Sequence, residues 1–216
     1  MKNLLLIVVS LCSIISIAQK PKVLSGDWNA IKSIKSWDVD VILSDDIEIH
    51  KTGTHKEFLA ERRAEYNNVS KNGGDEFVAT WTSNFNDRYS WKFCALMNKY
   101  QEKFRSGVTM KPEADKFEGK VIIKPIWIYL GYINPMMRQP SKVTTEISFQ
   151  DKEGRELVRI RMEESPGDAI FTVGAGSQNM GFGGADVQGE FARLTESFAK
   201  CGKDLSGYLG KKVYKK

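Results

Sequence analysis

The chain has 216 residues, with 32 Lys and Arg set against 27 Asp and Glu, for a net charge of +5. With 41% hydrophobic residues it can bury a sizeable core, which excludes a disordered chain, and so mild and evenly spread a positive balance makes no case for nucleic acid. The sequence contains no HExxH pair, no Gly-Lys-Ser or Gly-Lys-Thr phosphate loop and no Gly-x-Ser-x-Gly elbow.

The first eighteen residues read as an export signal. Lys2 precedes an apolar run from Leu4 to Leu11, which Ile14, Ile15 and Ile17 extend, and Ser16-Ile17-Ala18 places small residues where a signal peptidase needs them. Cleavage after Ala18 is expected. The run falls short of the about 20 apolar residues of a membrane span. Leu11 before Cys12 lacks the small residue of a lipidation site. The mature chain is then exported, to the periplasm or the outer side of the envelope, and is not an integral membrane protein. About 200 residues remain, enough for one well-buried domain.

Residues 19–36 mix Lys, Ser and Gly with isolated apolar residues and read as an irregular segment, with Trp28 and Ile31 tucked onto the domain. Trp37, Val39, Val41 and Leu43 alternate with Asp38 and Asp40, the period of a half-buried strand, and Ile47 and Ile49 resume it. Thr54 and Glu57 form a capping box that starts a helix, which Asn72-Gly73-Gly74-Asp75 ends. Residues 77–85 are aromatic and ambiguous. Tyr89, Phe93, Leu96, Met97, Tyr100 and Phe104 then recur at helical spacing, with Lys92, Asn98, Lys99 and Lys103 largely opposite.

Residues 121–133 form the most hydrophobic mature stretch and read as a central strand covered on both sides, with a bulge at Pro125 because proline cannot donate to a ladder. Val143, Thr145, Ile147 and Phe149, a turn at Asp151–Gly154, and Val158, Ile160 and Met162 make a hairpin with one buried face. A short strand over 169–173 and a glycine-rich loop over 174–184 follow. The chain closes with a helix whose apolar stripe runs through Val187, Phe191, Leu194, Phe198, Cys201 and Leu205, despite Gly202 and Gly207. The expected fold is α+β, an antiparallel sheet with helices packed on one face, forming a single domain over residues 37–210 with a basic tail over 211–216.

Candidate chemistry is sparse. Gly174, Gly176 and Gly181 belong to a loop between strand and helix, the context of a phosphate cradle, but the third glycine of a dinucleotide fingerprint would fall at Asn179. Asp46, Glu48 and His50 would share a strand face near Asp45 and His55, a spacing that matches no standard metal site. Glu163-Glu164 reads as a solvated strand end. Cys94 and Cys201 could pair as a disulfide in an oxidising compartment, and buried thiols are the other reading. Trp127, Tyr129, Tyr132, Met136 and Met137 could form an apolar binding surface, and Trp81, Phe85, Tyr89 and Trp91 a pocket, although core packing is the commoner use of such residues.

The strand Trp37–Val41, the central segment Val121–Ile126, the hairpin Thr145–Phe149 with its Asp151–Gly154 turn, and the closing helix with Gly202–Leu205 together give a familiar arrangement. In that pattern the chain resembles uncharacterised secreted and lipoprotein families of Gram-negative cell envelopes. The resemblance implies an α+β sandwich in the periplasm or on a membrane surface, and supplies no catalytic residues. The functional expectation is a non-catalytic envelope protein that binds another protein or a surface component, contacting it through Met136, Met137 and Arg138 and through Gly174, Gly176 and Gly181. A binding module for a lipid or small apolar ligand is the alternative, and an envelope hydrolase the third. No cofactor is called for.

Overall fold

The computed structural model of the chain describes residues 19–133, 138–167 and 187–215. Residues 1–18, read above as an export signal, Met136 and Met137, residues 169–173, expected as a short strand, and the glycines 174, 176 and 181 lie outside the described residues.

Eight strands among the described residues form one mixed, mostly antiparallel sheet, and the helices pack on one face of it, so the fold is α+β. The sheet is ordered β1 (Lys22–Gly26), β10 (Glu156–Pro166), β9 (Lys142–Asp151), β6 (Gly119–Tyr129), β2 (Ser36–Val41) and β5 (Thr109–Lys111). The first four of these pair antiparallel, whereas β2 lies parallel to both β6 and β5. Short β3 (Glu48–Ile49) continues the line of β2 along β6 and pairs with β4 (Gly53–Thr54). A separate pair joins β7 (Tyr132–Ile133) to β8 (Arg138–Gln139).

The β9–β10 hairpin follows its alternation: Val143, Thr145, Ile147 and Phe149 meet Val158, Ile160 and Met162 on the helix side, and all are buried. Gly154 sits at φ +81° in the turn, a conformation that favours glycine. In β6 the register slips between Pro125 and Trp127, so the missing N–H falls at a bulge. The expected two-sided coverage of this strand does not hold. Val121, Ile123 and Ile128 are buried beneath the helices, but Ile122, Lys124 and Ile126 are only half-buried. Among the described residues no helix covers the outer face of the sheet, which is tiled with ion pairs such as Arg161–Glu146 at 2.6 Å and Lys120–Asp40 at 2.6 Å.

The helical layer comprises α1 (His55–Val69), α2 (Gly73–Asn84), α3 (Ser90–Lys103) and α4 (Val187–Lys212). Helix α1 starts on the reciprocal Thr54–Glu57 box, as its sequence requires. The glycine pair after it does more than stop a helix, because Gly73 and Gly74 open the next one. A methyl group at Gly74 would meet the Arg63 carbonyl oxygen at 2.2 Å, so the glycine lets α2 start against α1. The ambiguous aromatic stretch is α2, which passes through a π-helical turn (Phe85–Tyr89) into α3. That turn keeps Trp81, Phe85 and Tyr89 in edge-to-face contact in succession, at ring separations of 5.5 and 4.8 Å.

Helices α3 and α4 pack closely. A methyl group at Gly202 would lie 2.4 Å from the Phe93 carbonyl oxygen. Gln101 Nε2 donates to the Ser206 carbonyl at 2.9 Å, and Ser206 Oγ donates to the Met97 carbonyl at 2.9 Å. Among the described residues no helix is long and apolar enough to cross a membrane.

Both chain ends depart from expectation. Residues 22–26, read as irregular, are the edge strand β1, and all five are exposed, so no alternation marks them. Asp27 caps the 3-10 turn Trp28–Ile31 that follows, and Ile31 is buried. The basic end is no free tail. Lys211 and Lys212 occupy the last turn of α4, where cations suit the helix dipole, and Val213 and Tyr214 are buried behind them. Tyr214 Oη donates to the Ile31 carbonyl at 3.2 Å.

Candidate functional site

A groove of about 600 Å3 runs along the outer edge of β5, between α3 and the loop that follows β5. Its floor is apolar: Trp37 from β2, Met110 from β5 and Cys94 from α3 are each at most 2% exposed. Its lip is Trp91, in the first turn of α3, which is 51% exposed and so is the most open large hydrophobic side chain among the described residues. The far wall is the segment 111–116, with Pro112 and Ala114 facing in and Lys111 and Lys116 exposed beside them.

Two polar contacts fix this shape. Asp38, itself buried, accepts the Ala114 N–H at 3.0 Å and holds the far wall to β2. Lys120 neutralises that carboxylate, with Nζ 3.6 Å from Asp38 and 2.6 Å from Asp40. On the near wall the Asn98 carboxamide donates to the Met110 carbonyl at 2.8 Å and accepts the Met110 N–H at 2.9 Å. Because β5 pairs with β2 on its inner side, these are the outward backbone groups of the edge strand, and a side chain satisfies both.

The groove holds one thiol, and it is not activated. Burial, with the Asp38 charge adding to it, pushes the Cys94 thiol up to about 12, so it stays protonated at neutral pH. Cys201 lies in the core, with its Sγ 3.5 Å from Thr145 Oγ1, and burial pushes its thiol up to about 11. Both cysteines are free and buried.

The remaining sequence candidates scatter. Trp81, Phe85 and Tyr89 are core residues, at most 1% exposed, and of that set Trp91 alone reaches the surface. His55 is buried: Trp81 Nε1 donates to its Nε2 at 2.8 Å, so its proton sits on Nδ1, which faces the Ser44 carbonyl at 3.2 Å. His50 is exposed on the outer face, edge-on to Trp127 and Tyr129 at 5.5 and 5.1 Å. The two histidines therefore do not converge. Among the described residues no three His, Cys, Asp or Glu side chains come together to hold a metal ion. Glu164 pairs with Lys142 at 2.6 Å at the end of the hairpin. Arg138 pairs its backbone with Ile133 in the small β7–β8 ribbon.

Sequence reasoning missed Asn98, Met110 and the 111–116 wall. Asn98 was read as part of a solvated helix face, and β5 is too short, at three residues, to show alternation. One signal was present: Trp91 falls off the stripe defined by Phe93 and Met97, and a large aromatic residue outside the buried stripe of an amphipathic helix needs another use.

The fold and groove thus define an α+β protein with a lateral apolar cleft. Comparison with protein families, with curated proteins and with solved structures finds no match for this chain.

Proposed function

We propose that the chain is a non-catalytic binding protein of the cell envelope, which holds the apolar body of a small ligand in the groove under Trp91. The observation that carries this reading is the exposure of Trp91 over a buried floor of Trp37, Cys94 and Met110. Leaving an indole half in water beside apolar surface is unfavourable, and a ligand that covers it gains about 25 cal/mol for each Å2 removed from water. The groove's volume lies within the range of small-molecule sites, about 300–1,000 Å3. Lys111 and Lys116 line it with Asp115 between them, a rim with one net positive charge that suits an amphiphile with an acidic end. The protonated Cys94 thiol supports binding over covalent chemistry. Location in the envelope rests on the export signal in residues 1–18 and the expected cut after Ala18.

A thermal-shift screen of fatty acids, lysolipids and small aromatic acids tests the reading. A true ligand raises the melting temperature in proportion to the logarithm of its concentration. No shift across the panel counts against the groove as a ligand site.

A second reading, contact with an envelope protein or surface component, is favoured by the aromatic patch of His50, Trp127 and Tyr129 on the open sheet face. Changing Trp127 to Ser should then abolish cross-linking to that partner in envelope extract and leave the fold intact. Unaltered cross-linking would remove the patch from consideration.

A further inference from the structure

Gln19, the residue that follows the expected cleavage site, is tied into the fold by three contacts. Its backbone N–H reaches Asp204 Oδ2 at 3.4 Å. Its side-chain Nε2 donates to the Glu164 carbonyl at 2.9 Å, and its Oε1 accepts from Ser165 Oγ at 3.0 Å. The acceptor on β10 is available because the strand breaks its ladder there. The register slips between Met162 and Ser165, and Glu164 takes φ +44°, a left-handed conformation that a non-glycine residue adopts only where its surroundings impose it. Asp204, on α4, has its side chain 3% exposed and is ion-paired to Lys200. A buried carboxylate thus lies next to the backbone nitrogen of the residue that processing would make first.

We propose that the mature chain begins at Gln19 and that its new α-ammonium group docks on Asp204, completing a Lys200–Asp204–N-terminus ion cluster that exists only after processing. This inference rests on the export part of the reading above and is independent of the groove. Hydrolysis of the Ala18–Gln19 bond consumes one water, leaves a carboxylate on Ala18 and an amine on Gln19, and the amine takes up a proton. The ordinary pKa of such an amine, about 7.7–8.0, keeps it mostly charged at neutral pH. One neutral donor then becomes three charged ones facing a buried carboxylate, so the attraction between two full charges is added to a bond whose acceptor is already ionised. The cut therefore tightens the attachment of the first strand to the helix layer.

The same geometry protects the terminus chemically. An N-terminal glutamine cyclises when its neutral amine attacks its own side-chain amide carbon and expels ammonia. Here the amine is held charged against Asp204, while both polar atoms of the carboxamide are bound to Glu164 and Ser165. The docked terminus stays open.

The test expresses the full chain with its own leader in a Gram-negative host and analyses the exported product by terminal sequencing and intact mass. The expected product begins at an uncyclised Gln19. In the folded protein its α-amine should react with an acylating ester at least tenfold more slowly than in the same protein unfolded in urea. In D204N that protection should disappear. If D204N fails to accumulate, S165A, which leaves the carboxylate in place and frees the glutamine side-chain oxygen, should speed both acylation and cyclisation. Cleavage at another bond, or none, would overturn the proposal together with the processing it rests on. A chain that begins at Gln19 but is already cyclised, or acylates equally fast folded and unfolded, would overturn the docking alone.

Discussion

Asn98 closes the outer edge of β5 by bonding both backbone groups of Met110, donating to its carbonyl at 2.8 Å and accepting from its N–H at 2.9 Å. A carboxamide can donate an N–H and accept at its oxygen at the spacing of a peptide group, so it stands in for the neighbouring strand that β5 lacks. An uncapped edge would present free pairing groups inside the groove. Replacing Asn98 by Ala should lower stability by about 1–3 kcal/mol, the worth of two hydrogen bonds of this kind. Urea denaturation measures it, and an unchanged midpoint would mean that water replaces the carboxamide at no cost.

Stability should fall in mild acid through His55. Burial lowers its pKa below the ordinary value of 6.5, against the opposing pull of the Ser44 carbonyl and Asp45. The unfolded chain therefore binds a proton that the folded chain resists, because Nε2 is occupied by the Trp81 N–H. The contribution is whole above about pH 6.5 and is lost as pH falls from there toward the lower folded value. His55→Gln, whose oxygen can still accept from Trp81, should flatten the profile of urea midpoint against pH between about 5 and 7. A slope that survives the substitution would place the titration elsewhere.

Gly202 and Gly207, two of the glycines of α4, should respond in opposite directions to alanine. At Gly202 the added methyl group meets the Phe93 carbonyl oxygen at 2.4 Å, a backbone atom that cannot move aside cheaply, so G202A should cost about 1–3 kcal/mol. At Gly207 nothing lies within 4 Å, and G207A should stabilise by up to about 1 kcal/mol through helix propensity alone. Thermal melts of the pair decide it. A common sign would show that α3 and α4 are not in close contact at Gly202.

Neither thiol should react while the protein is folded. With Cys94 pushed up to about 12 and Cys201 to about 11, both stay protonated at pH 8, and both are buried. An aromatic disulfide reagent should label neither in the native protein and both in urea. Prompt native labelling of Cys94 would mean that the groove floor opens.

Much of the frame is legible in the residues themselves, because local rules govern it. The Thr54–Glu57 box, the slip at Pro125 and the alternation from Val143 to Met162 each arise from neighbours in sequence, and each appears where expected. What escapes is decided by distant partners. Lys22–Gly26 becomes a strand only because β10 offers an edge, and no residue in it is buried. Gly73 and Gly74 resemble a stop signal until the Arg63 backbone shows why a helix begins there. The groove needs the parallel pairing of β2 with β5 and the Asn98 cap across twelve residues, which no periodicity encodes.

A ligand received by Trp91 and the floor beneath it should be replaceable by an apolar probe. The direct measurement is a fluorescence titration of the purified protein with N-phenyl-naphthylamine, an apolar probe that brightens when removed from water, for the wild type and W91A in parallel. Saturable binding at one site is expected, weakened at least tenfold in W91A, equivalent to about 1.4 kcal/mol, with the melting temperature unchanged. Equal affinity for the two proteins, or no saturable binding by either, would contradict a ligand site under Trp91.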